Sequence, residues 1–118
     1  MMEPHVVASV RDEKGKITKI EPKEIGRPID SASAKVMTEV LVNAVNRGEA
    51  QWARIKGYRI AGKTGTASIP IEGKYDPNKT IASFIGFAPA ADPKFVMFVI
   101  LDRPTARIYG AETAAPIF

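Results

Sequence analysis

Cysteine is absent from this chain and histidine occurs once, as His5. Without cysteine there are no disulfides and no thiolate metal sites, so redox compartment is left open by that route. A single histidine excludes a histidine-dependent catalytic triad and a zinc cluster, and His5 is read as a residue at a strand edge. No apolar run reaches the roughly 18 residues of a membrane-spanning helix, and "MMEPHVV" lacks the basic-then-apolar pattern of a signal peptide. Nor is there an Arg/Lys tract: a nucleic-acid footprint would be a basic patch interleaved with aromatics, and Trp52 and Tyr58 near Arg54 and Arg59 are the only local hint. The expectation is no cofactor, no metal and no nucleic acid.

What is present is ordinary for a globular protein: 118 residues, 45% hydrophobic, net charge +4 and a mildly basic surface. The chain stops on "ETAAPIF", an apolar run with no polar tail, which predicts a fragment cut while an element is still running. Exposed strand edges and apolar surface would then favour self-association.

Along the chain, "VVASV" and "KITKI" flank the polar turn "RDEKG" and predict a hairpin, followed by a loop through residue 30. A helix is expected over residues 31–48, capped by Ser31 or Ser33, with Val36, Val40, Leu41, Ala44 and Val45 as its apolar face and Gly48 closing it in the left-handed region. A connector leads to three strands within residues 57–103: "YRIAGKTGTAS", "TIASFIGFAPA" and "KFVMFVILD". The first two are joined by the link "IPIEGKYDPNK", which returns through Gly73 and a turn at "DPNK". The turn "ADPK" requires the last two to be antiparallel, and the near-continuous apolar third strand is expected to be covered on both faces. Residues 110–118 read as the start of a terminal helix. The fold class is α+β: an antiparallel three-stranded meander with an N-terminal hairpin, a covering helix and a truncated C-terminal helix.

The stretch "GYRIAGKTGTAS" carries the chemistry, and two patterns overlap in it. Gly57, Gly62, Lys63 and Thr64 satisfy the phosphate-loop spacing. That loop needs a buried strand before Gly57 and a helix opening at Lys63-Thr64, but "QWARIK" is polar and Gly65, Thr66, Ser68 and Pro70 are poor helix formers. The alternative puts Lys63-Thr64-Gly65 on a strand, where alternation sends Lys63 and Gly65 to one face and Thr64 and Thr66 to the other. A lysine charge, threonine hydroxyls and a glycine allowing close approach make an anion-recognising strand edge. From these letters alone, a merely β-prone stretch with a bulge glycine fits as well. A stand-alone anion- or peptide-binding module is a further alternative.

The neighbourhood decides between them. "EPHVV", "LVNAVNRGEA", "IKGYRIAGKTGTAS", "YDPNKTIASFIGFAPAADPKFVMFVILDRP" and "TAAPIF" together resemble the class B penicillin-binding proteins, the cell-division and elongation D,D-transpeptidases, over nearly the whole chain. The resemblance implies the penicillin-binding/serine β-lactamase-like fold and serine acyl transfer built on S-x-x-K, S-x-N and Lys-Thr-Gly. Only the third motif occurs here. No lysine has a serine three places before it and no serine has an asparagine two places after it, so Ser31, Ser33, Ser68 and Ser83 are not candidates for nucleophile. By resemblance, Lys63, Thr64 and Thr66 would bind the carboxylate of a peptidoglycan stem peptide or of a β-lactam. Gly65 would keep the strand edge open, and the Thr66 backbone N–H would be one oxyanion donor. The resemblance also implies that the rest of the transpeptidase domain is a partner. It places the parent protein on the extracytoplasmic face of the bacterial membrane, held by an N-terminal anchor outside this chain.

Overall fold

The computed structural model describes residues 1–118 and divides into two compact units, residues 1–34 and 35–118. In the first, strands β1 (Ser9–Arg11) and β2 (Ile17–Lys19) pair antiparallel. Their turn is built by Asp12, whose carboxylate accepts the N–H groups of Lys14 (3.0 Å) and Lys16 (2.9 Å), and by Gly15 at φ +81°. The N-terminal residues run back against the loop that follows β2, with a bridge between Met2 and Glu24 and a Glu3–Lys23 ion pair at 3.0 Å.

Helix α1 spans Ser31–Arg47. Its N-cap is Asp30, not Ser31 or Ser33: the Ser33 N–H and hydroxyl donate to the two Asp30 carboxylate oxygens at 2.7 and 3.0 Å. Those bonds hold the Asp30 carboxyl below its ordinary pKa, the Ser33 backbone N–H contributing most. The apolar face is also shifted from the one expected. Val42 and Val45 are buried, whereas Val36 and Val40 are exposed, because the packed stripe begins only in the second half of the helix. Gly48 is extended (φ −100°, ψ −161°) and not left-handed; a Cβ there would stand 2.8 Å from the Ala44 carbonyl oxygen, so close approach sets this glycine. A 3₁₀ helix, Glu49–Ala53, fills the connector.

Strands β3 (Ala61–Ile71), β4 (Lys74–Ala88) and β5 (Phe95–Asp102) form an antiparallel sheet in the order β3-β4-β5, the meander expected from the sequence. The first hairpin is longer than predicted. Ile69, Pro70 and Ile71 pair with Asp76, Tyr75 and Lys74, and the chain reverses at Glu72 (φ 51°) and Gly73 (φ 79°), two successive left-handed residues that match strand twist. The "DPNK" segment is an irregularity inside β4: the register shifts between Ser68 and Ile69, and the Asn78 N–H donates to the Asp76 carboxylate at 2.9 Å.

The register sorts the sheet into two faces. One carries Phe84 and Ala88, packed with Val45, Ala50, Ala53, Ile60 and Ala114 into the main core. Phe84 is fully buried and meets Phe118 edge-on, ring centroids 5.1 Å apart. On the other face, Ala61 and Phe87 pack beneath Val42 and Leu41 at one end. Beyond them Ile81, Ile85, Val96, Phe98 and Ile100 are exposed, so β5 is covered on one face and not on both. The C-terminal residues form turns and a single 3₁₀ turn, Ala115–Ile117, instead of the start of an α-helix, with Pro116 supplying no N–H to extend it.

Candidate functional site

Lys63, Thr64, Gly65 and Thr66 stand in the first half of β3, opposite Ile85, Phe84, Ser83 and Ala82. β3 pairs on one side only, so alternate residues of this stretch present N–H and C=O groups to an edge that no strand of this chain occupies. Thr64 and Thr66 project on the face that carries the main core, and Lys63 and Gly65 on the other. The exposed Lys63 ammonium curls along the strand and donates to the Thr64 carbonyl (2.8 Å) and hydroxyl (3.4 Å). Cation and hydroxyl are thereby gathered at one place on the strand, the donor set that an anionic group requires.

Two features hold this stretch in place. A side chain at Gly65 would put its Cβ 2.5 Å from the Ser83 Oγ, so glycine lets β4 press in at that point. Gly110, after β5, lies against the backbone of both strands: a Cβ there would run into the carbonyl oxygens of Gly65 and Ser83. The Gly110 N–H donates to the Thr66 Oγ1 at 3.1 Å, and the Thr80 hydroxyl donates to the Ile108 carbonyl at 2.6 Å. These bonds lay residues 108–112 beside β3, where Tyr109 and Glu112 join Glu49, Trp52, Thr64 and Thr66 around a cavity of about 390 Å³. A smaller cavity of about 210 Å³ lies between Lys63, Thr64, Glu49 and Ala44.

The four residues singled out in the sequence are thus contiguous on one strand. Sequence reasoning missed Gly110, Glu49, Trp52, Tyr109 and Glu112, which reach the site through packing and not through a local pattern. The phosphate-loop geometry is not formed, since Lys63 and Thr64 are in mid-strand and no helix opens there. Ser31 and Ser33 lie in the first turn of α1, Ser68 at the β3 irregularity and Ser83 against Gly65.

The family model described as the penicillin binding protein transpeptidase domain matches residues 1–118. The chain belongs to the penicillin-binding protein transpeptidase family. Among relatives in that family, it is 41% identical over 105 residues to stage V sporulation protein D of Bacillus subtilis, covering 88% of this chain and 16% of that protein. It is 40% identical over 106 residues to the peptidoglycan D,D-transpeptidase FtsI of Escherichia coli, covering 86% and 18%. Among solved structures, penicillin-binding protein 3 of Mycobacterium tuberculosis complexed with aztreonam matches at a TM-score of 0.81 and 28% identity, over 95% of this chain and 28% of that one. Penicillin-binding protein A of M. tuberculosis, a ceftriaxone acyl-enzyme complex, matches at 0.78 and 30%, over 98% and 26%. The chain therefore spans less than a fifth of these two curated relatives and little more than a quarter of the two structures.

Proposed function

We propose that this chain is the carboxylate-binding side of a peptidoglycan D,D-transpeptidase, which cross-links stem peptides through an acyl-serine intermediate and is acylated by penicillin. The observation that carries the reading is Lys63-Thr64-Gly65-Thr66 on a strand edge unpaired within this chain, beside a cavity that Thr64 and Thr66 line. The Lys63 ammonium and the Thr64 and Thr66 hydroxyls hold the terminal carboxylate of the donor peptide, or the β-lactam carboxylate that imitates it. Gly65 keeps the edge accessible, and the Thr66 backbone N–H donates to the oxyanion that develops on the attacked carbonyl. Losing one such donor costs about 2.7–4 kcal/mol in the barrier, so the strand contributes to catalysis without supplying the nucleophile.

The nucleophilic serine and the S-x-N motif lie in the remainder of the transpeptidase domain, which is this chain's partner. Domain and substrate are extracytoplasmic, with a membrane anchor outside these residues. The division of labour along the chain follows: residues 1–30 form the hairpin and loop, 31–48 the helix, 57–103 the strands with the Lys-Thr-Gly motif, and 110–118 the C-terminal turns. Fluorescent penicillin provides the test. It labels the whole transpeptidase, Lys63→Ala in that protein weakens labelling, and the 118-residue chain alone is not labelled; covalent labelling of the chain would contradict the assignment.

A further inference from the structure

A cavity of a different character lies between the end of α1 and the segment that leads into β3, and none of its lining residues belongs to β3. Its volume of about 670 Å³ is within the roughly 300–1,000 Å³ in which small ligands are held. The buried Val45 lines it together with Asn46, Gln51, Arg54 and Lys56, and no aspartate or glutamate does. The sequence explains that composition: from Ala50 to Ile71 there is no acidic residue. Arg59, just beyond the lining segment, is paired with Glu39, whereas Arg54 and Lys56 enter none of the chain's ion pairs. The backbone between them and β3 is fixed by a turn, in which the Tyr58 N–H donates to the Ile55 carbonyl at 3.1 Å and Gly57 stands at φ +88°. The N–H groups of Lys56 and Gly57 are donated to no carbonyl of the chain.

Two uncompensated cations, two side-chain amides and free backbone donors in one cavity call for an anion rich in acceptor oxygens. A phosphate monoester carries about −1.5 to −2 at pH 7 and three acceptor oxygens, which matches both cations at once. A carboxylate or a phosphodiester brings only a single charge and leaves one cation uncompensated. The last turn of α1 contributes Val45 and Asn46, and the helix dipole there opposes an anion with roughly half an elementary charge. Two full charges outweigh it. We infer that this cavity binds a phosphate monoester, its phosphoryl group on Arg54 and Lys56, its remaining oxygens on the Asn46 and Gln51 amides, and its esterified body against Val45 and Ile55. The site does not depend on the carboxylate-binding reading of β3.

Amide NMR of the 118-residue chain tests it by titration with glycerol 3-phosphate, dimethyl phosphate and acetate. Saturable shifts are expected at Arg54, Lys56 and Gly57, with glycerol 3-phosphate held about three- to fivefold more tightly than either monoanion, the range that an added charge on exposed cations supplies. Arg54→Gln and Lys56→Gln should each weaken the monoester about threefold, and the double variant should bring its advantage down to about onefold. Both residues are exposed, so these substitutions leave the core intact. Equal affinity for the monoester and the monoanions, an advantage that survives in the double variant, or the absence of saturable shifts at Gly57 overturns the site. Phosphatidylcholine vesicles carrying phosphatidate separate the two sources of the group. Sedimentation of the chain with them, lost in the double variant, assigns a lipid headgroup; no sedimentation beside glycerol 3-phosphate binding assigns a soluble ester.

Discussion

Gly110 and Thr66 show how one residue far along the chain fixes the geometry of another. With its Cα against the carbonyls of Gly65 and Ser83, Gly110 has no room for a methyl group, and the obstacle is backbone on both sides. Gly110→Ala is therefore expected to destabilise the chain by about 1–3 kcal/mol, measured by urea unfolding, and to displace the Tyr109–Glu112 segment from β3. Thr66→Val tests the same joint from the other side, since it leaves the buried Gly110 N–H without its acceptor at a cost of about 1–3 kcal/mol. Asp30 gives a pH signature. Its folded-state pKa is depressed by the Ser33 N–H and hydroxyl, so its contribution is present above the ordinary value of 3.8 and is lost as pH falls through the folded value below that. Far-ultraviolet circular dichroism should lose helical signal in that acid window, and Asp30→Ala should remove the Asp30-dependent part of the change. Lys63 to Thr66 were legible in the sequence because they are contiguous. Glu49, Trp52 and Glu112 were not, because only the fold brings residues so far apart in the chain around one cavity.

Among the elements, the β3–β4 hairpin diverges most from its sequence reading. Proline and asparagine at residues 77 and 78 look like the end of a strand, yet Tyr75 and Asp76 continue the ladder and the turn sits at Glu72 and Gly73. Sequence patterns place turns where turn residues cluster, whereas here two left-handed residues suffice and the Asp-Pro-Asn group is absorbed as an irregularity. Gly73→Val should cost about 1–2 kcal/mol through the left-handed penalty alone, since no atom lies within reach of the new Cβ. Glu72→Asn, which suits φ 51°, should raise Tm in a thermal scan. The strand order and antiparallel sense were legible because short links between apolar runs leave no alternative. Helix α1 was legible in extent but not in orientation: only Val42 and Val45 are buried, and a continuous apolar stripe does not reveal which part of it will meet a partner.

For the molecule as a whole, the decisive feature is the asymmetry of the sheet. One face is a packed core around Phe84, while Ile81, Ile85, Val96, Phe98 and Ile100 of the other face are exposed. Apolar surface of that extent promotes association. Sedimentation velocity is expected to show concentration-dependent self-association of the chain, reduced in an Ile85→Lys, Phe98→Lys variant. A strictly monomeric profile at all concentrations would contradict that expectation. The same asymmetry explains why a strand read from sequence as covered on both faces is half open.

The central claim is that Lys63-Thr64-Gly65-Thr66 recognises a peptide carboxylate, and amide NMR of the chain tests it most directly. On titration with N-acetyl-D-Ala-D-Ala, the account predicts saturable shifts centred on the Lys63–Thr66 amides, absent with the C-terminal amide of the same peptide and abolished by Lys63→Ala. Equal shifts with the carboxylate and the amide, or shifts that persist without Lys63, would contradict it.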